Sequence, residues 1–504
     1  TDTSSRIDLG TDDSLFVAPG ATLDYYLLGS PVTASGTGQW LIIYGSVMDN
    51  TDAAISAIGT SGLLIEIAES GYVGANDAVF LTATIDTAIE NAGVIQGSNI
   101  GGAGISVFAS VGTVVVNDAA GVIEGEIGVY AWGGSNATTL INLGTIVALN
   151  AYYEDGTAED MVINAGLIIG DILLGGGDDL YDGRLGTLMG TVWGGAGNDR
   201  ILTCGCDNTL FGEEGNDILA GGAGADEIDG GTGSDVAHYG GAREAVVVSL
   251  AGSVAGTGWA AGDTFTDIER LAGSRFGDWL EGDDGDNVLA GGGGDDTLLG
   301  GLGRDTLVGG TGADRLEGGG GIDRAGYGTA TAGVVASLAD PTVNTGDAAG
   351  DTYLDVEGLV GSAWGDDLRG DSAANTLWGG QGDDTLTGGR GQDTLYGGAG
   401  ADAFVFASSL GTAHADRIAD FETGIDEIRL DDAVFATLAL GTLDAAAFAA
   451  NDDGLAQEAD DRIVYETDTG FLTYDADGAG GAAGLRIARL GVGTSLSFDD
   501  LVVV

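Results

Sequence analysis

Apolar side chains recur every nine residues through much of the chain's second half. Ile201, Leu210, Leu219, Ile228 and Ala237 form a first run. Leu280, Leu289, Leu298, Leu307, Leu316 and Ala325 form a second, and Leu368, Leu377, Leu386, Leu395 and Phe404 a third. Two residues before each stands an acid or an amide. These are Asp199, Asn208, Asp217, Asp226 and Asp235; then Asp278, Asn287, Asp296, Asp305, Asp314 and Asp323; then Asp366, Asn375, Asp384, Asp393 and Asp402. The pattern predicts six residues of turn and three of short strand, with the apolar residue packing a thin core. Glycines in the turn supply backbone conformations that a Cβ would forbid. Two nonapeptides close one coil, so turns two nonapeptides apart stack. Asp199 then faces Asp217, Asp217 faces Asp235, and Asp296 sits between Asp278 and Asp314.

The stretch 1–172 repeats differently. Gly45, Gly71, Gly93, Gly121, Gly144 and Gly166 follow one another at spacings of 22 to 28, and four of these turns carry Asn91, Asn117, Asn142 or Asn164. A coil of that length predicts a wide parallel β-helix, with stacked Asn side chains bonding up and down the ladder. A longer repeat overlies the nonapeptides. GGTGSDVAHYG at 230–240 matches GGGGIDRAGYG at 318–328, an offset of 88 that also relates GDT at 262–264 to 350–352 and IERLAGS at 268–274 to VEGLVGS at 356–362. Residues 230–317 and 318–405 thus read as duplicated units. Past 404 the nonapeptides stop, and 415–430 and 461–480 alternate apolar with polar residues. A solenoid end exposes strand edges and an open core, so 405–504 is expected to form a β-rich cap.

Charge sharpens the picture. The chain has 78 acids against 16 basic residues, all Arg, for a net −62. Such a chain repels nucleic acid and anionic lipid, which excludes both as partners. Divalent cations are its natural counter-charge. Each stacked pair of turns offers two carboxylates and several carbonyls, the all-oxygen cage that Ca²⁺ prefers, and counting pairs gives about ten sites. The 16 acid and amide positions above are the candidate ligands. Asn208, Asn287 and Asn375 weaken the pattern, and TCGCDNTL at 203–210 lacks most of its glycines. Asp179 precedes Asp199 by slightly more than two nonapeptides, which places it out of phase with the ladder, at the seam between the two solenoid types.

The unit Gly-Gly-x-Gly-x-Asp-x-apolar-x, as in GGAGNDRIL (194–202), GGAGADEID (221–229), GGGGDDTLL (291–299) and GGQGDDTLT (379–387), resembles the RTX (repeats-in-toxin) hemolysin-type calcium-binding family. The segments DRIADFETGIDEIRL (416–430) and FDDLVVV (498–504) resemble the region downstream of the repeats in type I secreted bacterial proteins of that family. The resemblance implies a secreted calcium-binding protein. The expected fold is all-β: a right-handed parallel β-helix over 1–172, continuing into a calcium-binding parallel β-roll over 173–404, with a β-rich C-terminal cap and secretion signal over 405–504.

Enzyme signatures are missing. The chain has no His-Glu-x-x-His zinc motif, no Gly-x-Ser-x-Gly elbow and no Lys. His238 and His414 read as structural or surface residues. Cys204 and Cys206 read as a local disulfide or two free thiols, and Asn136-Ala-Thr138 fits a glycosylation acceptor by pattern alone. No segment reads as a transmembrane helix. The uncharged stretches 91–117 and 127–153 hold Val107, Phe108, Tyr130, Trp132, Tyr152 and Tyr153, so a weakly charged, partly apolar side is expected on the β-helix. The expectation is a structural protein of the bacterial cell surface, a surface-layer, sheath or matrix component, that forms a homo-oligomer or lattice in Ca²⁺. The alternatives are an adhesin or a polysaccharide-active enzyme on the same scaffold, with cell-surface polysaccharide as partner.

Overall fold

The computed structural model describes residues 6–25, 32–49, 53–98, 101–132, 137–409, 415–481 and 484–504; Asn136 and His414 lie outside them. Among the described residues the elements are strands and a few single 3-10 turns, with no α-helix. The chain divides into two compact units. One comprises Thr1–Ala242 with Ala255–Arg270, the other Arg243–Val254 with Leu271–Val504.

The first unit begins as a parallel solenoid with three strands per coil. One face stacks Ala53–Ile58, Asp77–Thr82, Ala103–Phe108 and Ile127–Trp132. The next stacks Leu64–Ile67, Ala88–Asn91, Thr113–Asn117, Thr138–Asn142 and Met161–Asn164. The third stacks Tyr72–Gly74, Val94–Gln96, Val122–Glu124 and the start of Thr145–Glu154. The inward residues are β-branched or Leu and nearly all fully buried, such as Ile65, Ile89, Val115, Leu140 and Val162. The asparagine ladder is present: Asn91 donates to Asn117, Asn117 to Asn142 and Asn142 to Asn164, each at 2.8 Å. Beside it, a Cβ on Gly144 would lie 2.3 Å from the carbonyls of Asp118 and Gly121, so only glycine fits that corner.

The third face ends at Thr187–Met189, which pairs with Leu167–Leu173. Beyond it the coil has two faces. Thr191–Ala196, Thr209–Gly215 and Glu227–Gly233 stack on one, and Arg200–Leu202, Ile218–Ala220 and Val236–His238 on the other. Losing one face shortens the coil to the length of two nonapeptides.

The second unit keeps the two-faced coil. Trp279–Glu281, Thr297–Gly303, Arg315–Gly321 and Thr352–Leu354 form one parallel stack. Val288–Gly293, Thr306–Thr311, Arg324–Gly326, Gly358–Val360, Thr376–Gln381 and Thr394–Ala399 form another. Val335–Ser337, Asp367–Arg369, Thr385–Thr387, Ala403–Phe406, Glu427–Leu430 and Leu501–Val503 form a third. The nonapeptide leucines from Leu280 to Leu395 are buried to 0–1% exposure. Past the repeats the parallel rule breaks. Phe471–Tyr474 runs antiparallel to Ile463–Glu466 and Leu485–Arg489, and Gly441–Thr442 antiparallel to Leu501–Val503. Meandering strands of this kind cover a solenoid edge that would otherwise stay open.

The 88-residue duplication recurs in paired hydrogen bonds. Tyr239 donates to Asp263 at 2.6 Å, and Tyr327 to Asp351 at 2.8 Å. The Val246 amide donates to Asp278, and the Val334 amide to Asp366.

Candidate metal centre

All 16 candidate ligands are buried, at 0–4% exposure. In each run a backbone amide donates to the Oδ1 of the residue one coil later. Asp199 donates to Asp217 and Asp217 to Asp235; Asp278 donates to Asp296 and Asp296 to Asp314; all four lie between 2.7 and 2.8 Å. Asn208 to Asp226, Asn287 to Asp305, Asp305 to Asp323, Asp366 to Asp384, Asn375 to Asp393 and Asp384 to Asp402 repeat the contact. The period that buries a Leu at each strand thus also builds a column of carboxylates at each turn.

The second oxygen distinguishes the column from an ordinary hydrogen-bonded ladder. Oδ2 of Asp199, Asp217, Asp226, Asp235, Asp296, Asp305, Asp314, Asp323, Asp384 and Asp402 is buried and has no hydrogen-bond partner. A buried carboxylate oxygen without a partner is costly unless a cation meets it. Each such oxygen leans on the glycine five residues upstream. A Cβ on Gly212 would sit 2.2 Å from Asp217 Oδ2 and 2.5 Å from the Gly230 carbonyl. On Gly300 it would sit 2.3 Å from Asp305 Oδ2 and 2.5 Å from the Gly318 carbonyl. Carboxylate and carbonyl oxygens from successive coils therefore converge where glycine leaves room, a donor set suited to Ca²⁺. Among the described residues no three His, Cys, Asp or Glu side chains could together hold a metal. The carbonyls must then supply much of each cage.

The column does not treat all 16 positions alike. Asp278 and Asp366 open their runs with both oxygens engaged, since Oδ2 accepts from the Ser274 or Ser362 amide and Oδ1 from the serine hydroxyl at 3.0 Å. At Asn208, Nδ2 donates to the carbonyls of Cys204, Cys206 and Gly221, placing a donor where aspartate would present an oxygen. Cys204 and Cys206 in this turn are joined as a disulfide. His238 is half-buried on the strand Val236–His238, and burial holds its pKa below the usual value.

Asp179 requires a correction. It belongs to the column: its amide donates to Asp199 Oδ1 at 2.8 Å, and its own Oδ1 accepts from the Asp160 amide at 2.6 Å. The Thr138 amide donates to Asp160 in turn. Coils in the seam are longer than two nonapeptides, so strict spacing misreads which residues stack. Upstream the place is held by threonine, with Thr113 paired to Thr138.

Six further acids close the column, and the nonapeptide pattern missed them. Asp226 and Asp235 donate to Asp263 and Glu269, and Asp314 and Asp323 to Asp351 and Glu357. Asp393 and Asp402 donate to Asp416 and Asp426. The signal for four of them was the duplicated GDT and Ile/Val-Glu at offset 88.

Residues 191–203, 207–237, 263–298, 272–307, 291–325 and 369–404 match the family described as the RTX calcium-binding nonapeptide repeat (4 copies). These stretches of the chain carry RTX calcium-binding nonapeptide repeats. No curated protein matches the chain. In these repeats the unpartnered Oδ2 atoms and glycine-turn carbonyls are the oxygens open to a cation.

Without metal, burial pushes the pKa of Asp199, Asp296, Asp351 and Asp384 up to about 7, and that of Asp217, Asp226 and Asp305 up to about 6. Neighbouring carboxylates add to the shift in each. The metal-free fold therefore binds protons that the unfolded chain has released. Its stability should be greatest near pH 4 and fall as pH rises through about 7. In chelator, circular dichroism should show more β-structure at pH 5 than at pH 8; the reverse order would refute the buried-acid account.

Asp305→Ala removes an unpartnered Oδ2 and the acceptor for the Asn287 amide in mid-run. Calcium affinity at the flanking sites should drop by at least the roughly 10–100-fold that loss of an outer-shell partner costs. Calorimetric titration reads this, with the β-signal of the wide helix unchanged.

Proposed function

We propose that this RTX protein is a secreted structural component of the bacterial cell surface, of the surface-layer, sheath or matrix kind, which folds on Ca²⁺ and self-assembles without enzymatic activity. The observation that carries the calcium step is the buried column of unpartnered carboxylate oxygens. Export fits the same chemistry, because such an array needs calcium at the levels found outside cells. No helix among the described residues is long and apolar enough to cross a membrane.

Self-assembly is supported by a row of partly exposed side chains, mostly rings, on the first unit, interrupted at the buried Ser106. Strand register carries it from Phe80 through Ser106, Tyr130, Tyr153, Leu173 and Trp193 to Phe211. Phe108 and Trp132 lie beside it with ring centroids 4.1 Å apart. Of the side chains in the uncharged stretches, Val107 and Tyr152 fill the core, and Tyr152 donates to Asp160. Trp193 and Phe211 stack at 11° between planes, 5.7 Å apart. Rings stacked on one another offer solvent their edges, whereas a sugar-binding platform needs exposed faces. This favours protein contact over the adhesin or polysaccharide-enzyme alternative.

Light scattering in millimolar calcium should show assemblies that grow with protein concentration, and Trp193→Glu with Phe211→Glu should reduce them. A protein that stays monomeric at high concentration would leave a soluble effector as the better reading.

A further inference from the structure

Upstream of the RTX match, the column holds a second kind of site. The turn 154–160 and the turn 174–179 are stacked in successive coils of the first unit. The Leu180 amide donates to the Asp160 carbonyl, and the Asp160 amide to Asp179 Oδ1. Between them lies Glu154, in the sequence AYYEDGTAED, where no nonapeptide exists. Glu154 is only 5% exposed, and its Oε2 is buried with no hydrogen-bond partner. Asp179 is 2% exposed, and its Oδ2 has none either. Asp160, the third acid here, is already satisfied: Oδ1 accepts from the Thr138 amide and Oδ2 from the Tyr152 hydroxyl.

The glycine turn is shaped around this carboxylate. Gly175, at φ +92°, has its missing Cβ directed at Glu154 Oε2, 2.1 Å away, and at the Glu154 carbonyl, 3.0 Å away. Gly177, at φ +124°, faces the Ala158 carbonyl at 2.1 Å in the same sense. Among the described residues no Arg pairs with Glu154, Asp160 or Asp179; the ion pairs of this unit are Arg6–Asp8 and Arg184–Asp182. Glu154 Oε2 and the carbonyls of Glu154 and Ala158 thus face one glycine turn, and Asp179 at the end of that turn adds a second buried, unpartnered oxygen, with no protein cation among the described residues to compensate them. That combination is unfavourable unless a hard cation joins it.

We infer that Glu154 and Asp179, with the carbonyls of Glu154 and Ala158, hold a Ca²⁺ ion between the turn 154–160 and the first glycine turn, 174–179. The inference rests on the calcium reading of the column but not on the nonapeptide, since its distinguishing ligand lies outside any repeat. The site would fasten the calcium-dependent array to a β-helix that otherwise needs no metal.

The test is an ion count on the full chain, by elemental analysis after gel filtration in calcium. Glu154→Gln should carry one Ca²⁺ fewer than the unmodified protein, while the exposed neighbour change Glu159→Gln leaves the count unaltered. If the unmodified protein carries the array's ions and Glu154→Gln carries the same number, this inference fails and the RTX reading stands. If the unmodified protein carries none, the RTX reading itself fails. Crystals of the unmodified protein with Tb³⁺ replacing calcium give an answer independent of how the variant folds. An anomalous peak should lie within bonding distance of Glu154 Oε2, and its absence there overturns the inference.

Discussion

In chelator at neutral pH, circular dichroism should show most of residues 173–504 as coil, and millimolar calcium should convert them to β-structure. This region holds 58 acids against 15 Arg. Folding it without metal would bury a file of carboxylates one coil apart, each costing several kcal/mol when uncompensated. The thin core offers little in return, about one Leu per nonapeptide, each contributing roughly 1.5–3 kcal/mol. About ten Ca²⁺ would offset some 20 charges at the positions where they crowd. The first coils should behave differently, because their corner carries Thr113 and Thr138, and Asn91, Asn117, Asn142 and Asn164 bond to one another without charge. A residual β-signal of that size should survive the chelator. Equal spectra with and without calcium would sink the account.

Deleting 405–504 should abolish calcium-driven folding of the nearest repeats and move the calcium midpoint of the others at least about tenfold upward. The column has a direction: each amide donates to the carboxylate one coil downstream. The amides of Asp393 and Asp402 are completed only by Asp416 and Asp426. The same deletion uncovers Phe404, which is fully buried and registered against Ile428. Repeat arrays require a terminal cap for this reason. A calcium titration of the truncated chain by circular dichroism reads the result, and an unshifted midpoint would show that the cap plays no part in folding.

The nonapeptide column was legible because one short period serves core and ligand together. An apolar residue at position eight and an Asp or Asn at position six of each nonapeptide cannot both arise from a flexible linker. The asparagine ladder was legible for a similar reason, each Asn sitting one wide coil from the next. What escaped was whatever breaks the period. Asp263 and Asp351 follow their donors by 37 residues, across an excursion of the chain, so no fixed spacing finds them. Asp179 follows Asp160 by 19 residues and precedes Asp199 by 20, so a search at the repeat's own period passes over it. Glu154 has no repeat to announce it. Its role depends on burial and on the facing of Gly175, which only three-dimensional stacking supplies. The uncharged stretches do not say which of their rings turn inward; Tyr152 does, with the Asp160 carboxylate as interior partner of its hydroxyl.

The change from threonine to aspartate along one column has an environmental consequence. Backbone path and strand register pass through Thr138, Asp160, Asp179 and Asp199 without a break. What changes is whether a coil closes on its own atoms or on an ion borrowed from the medium. On the proposed function, one part of the molecule is permanent and the other conditional, so that the calcium of the surroundings would determine how much of the chain exists as structure at any moment.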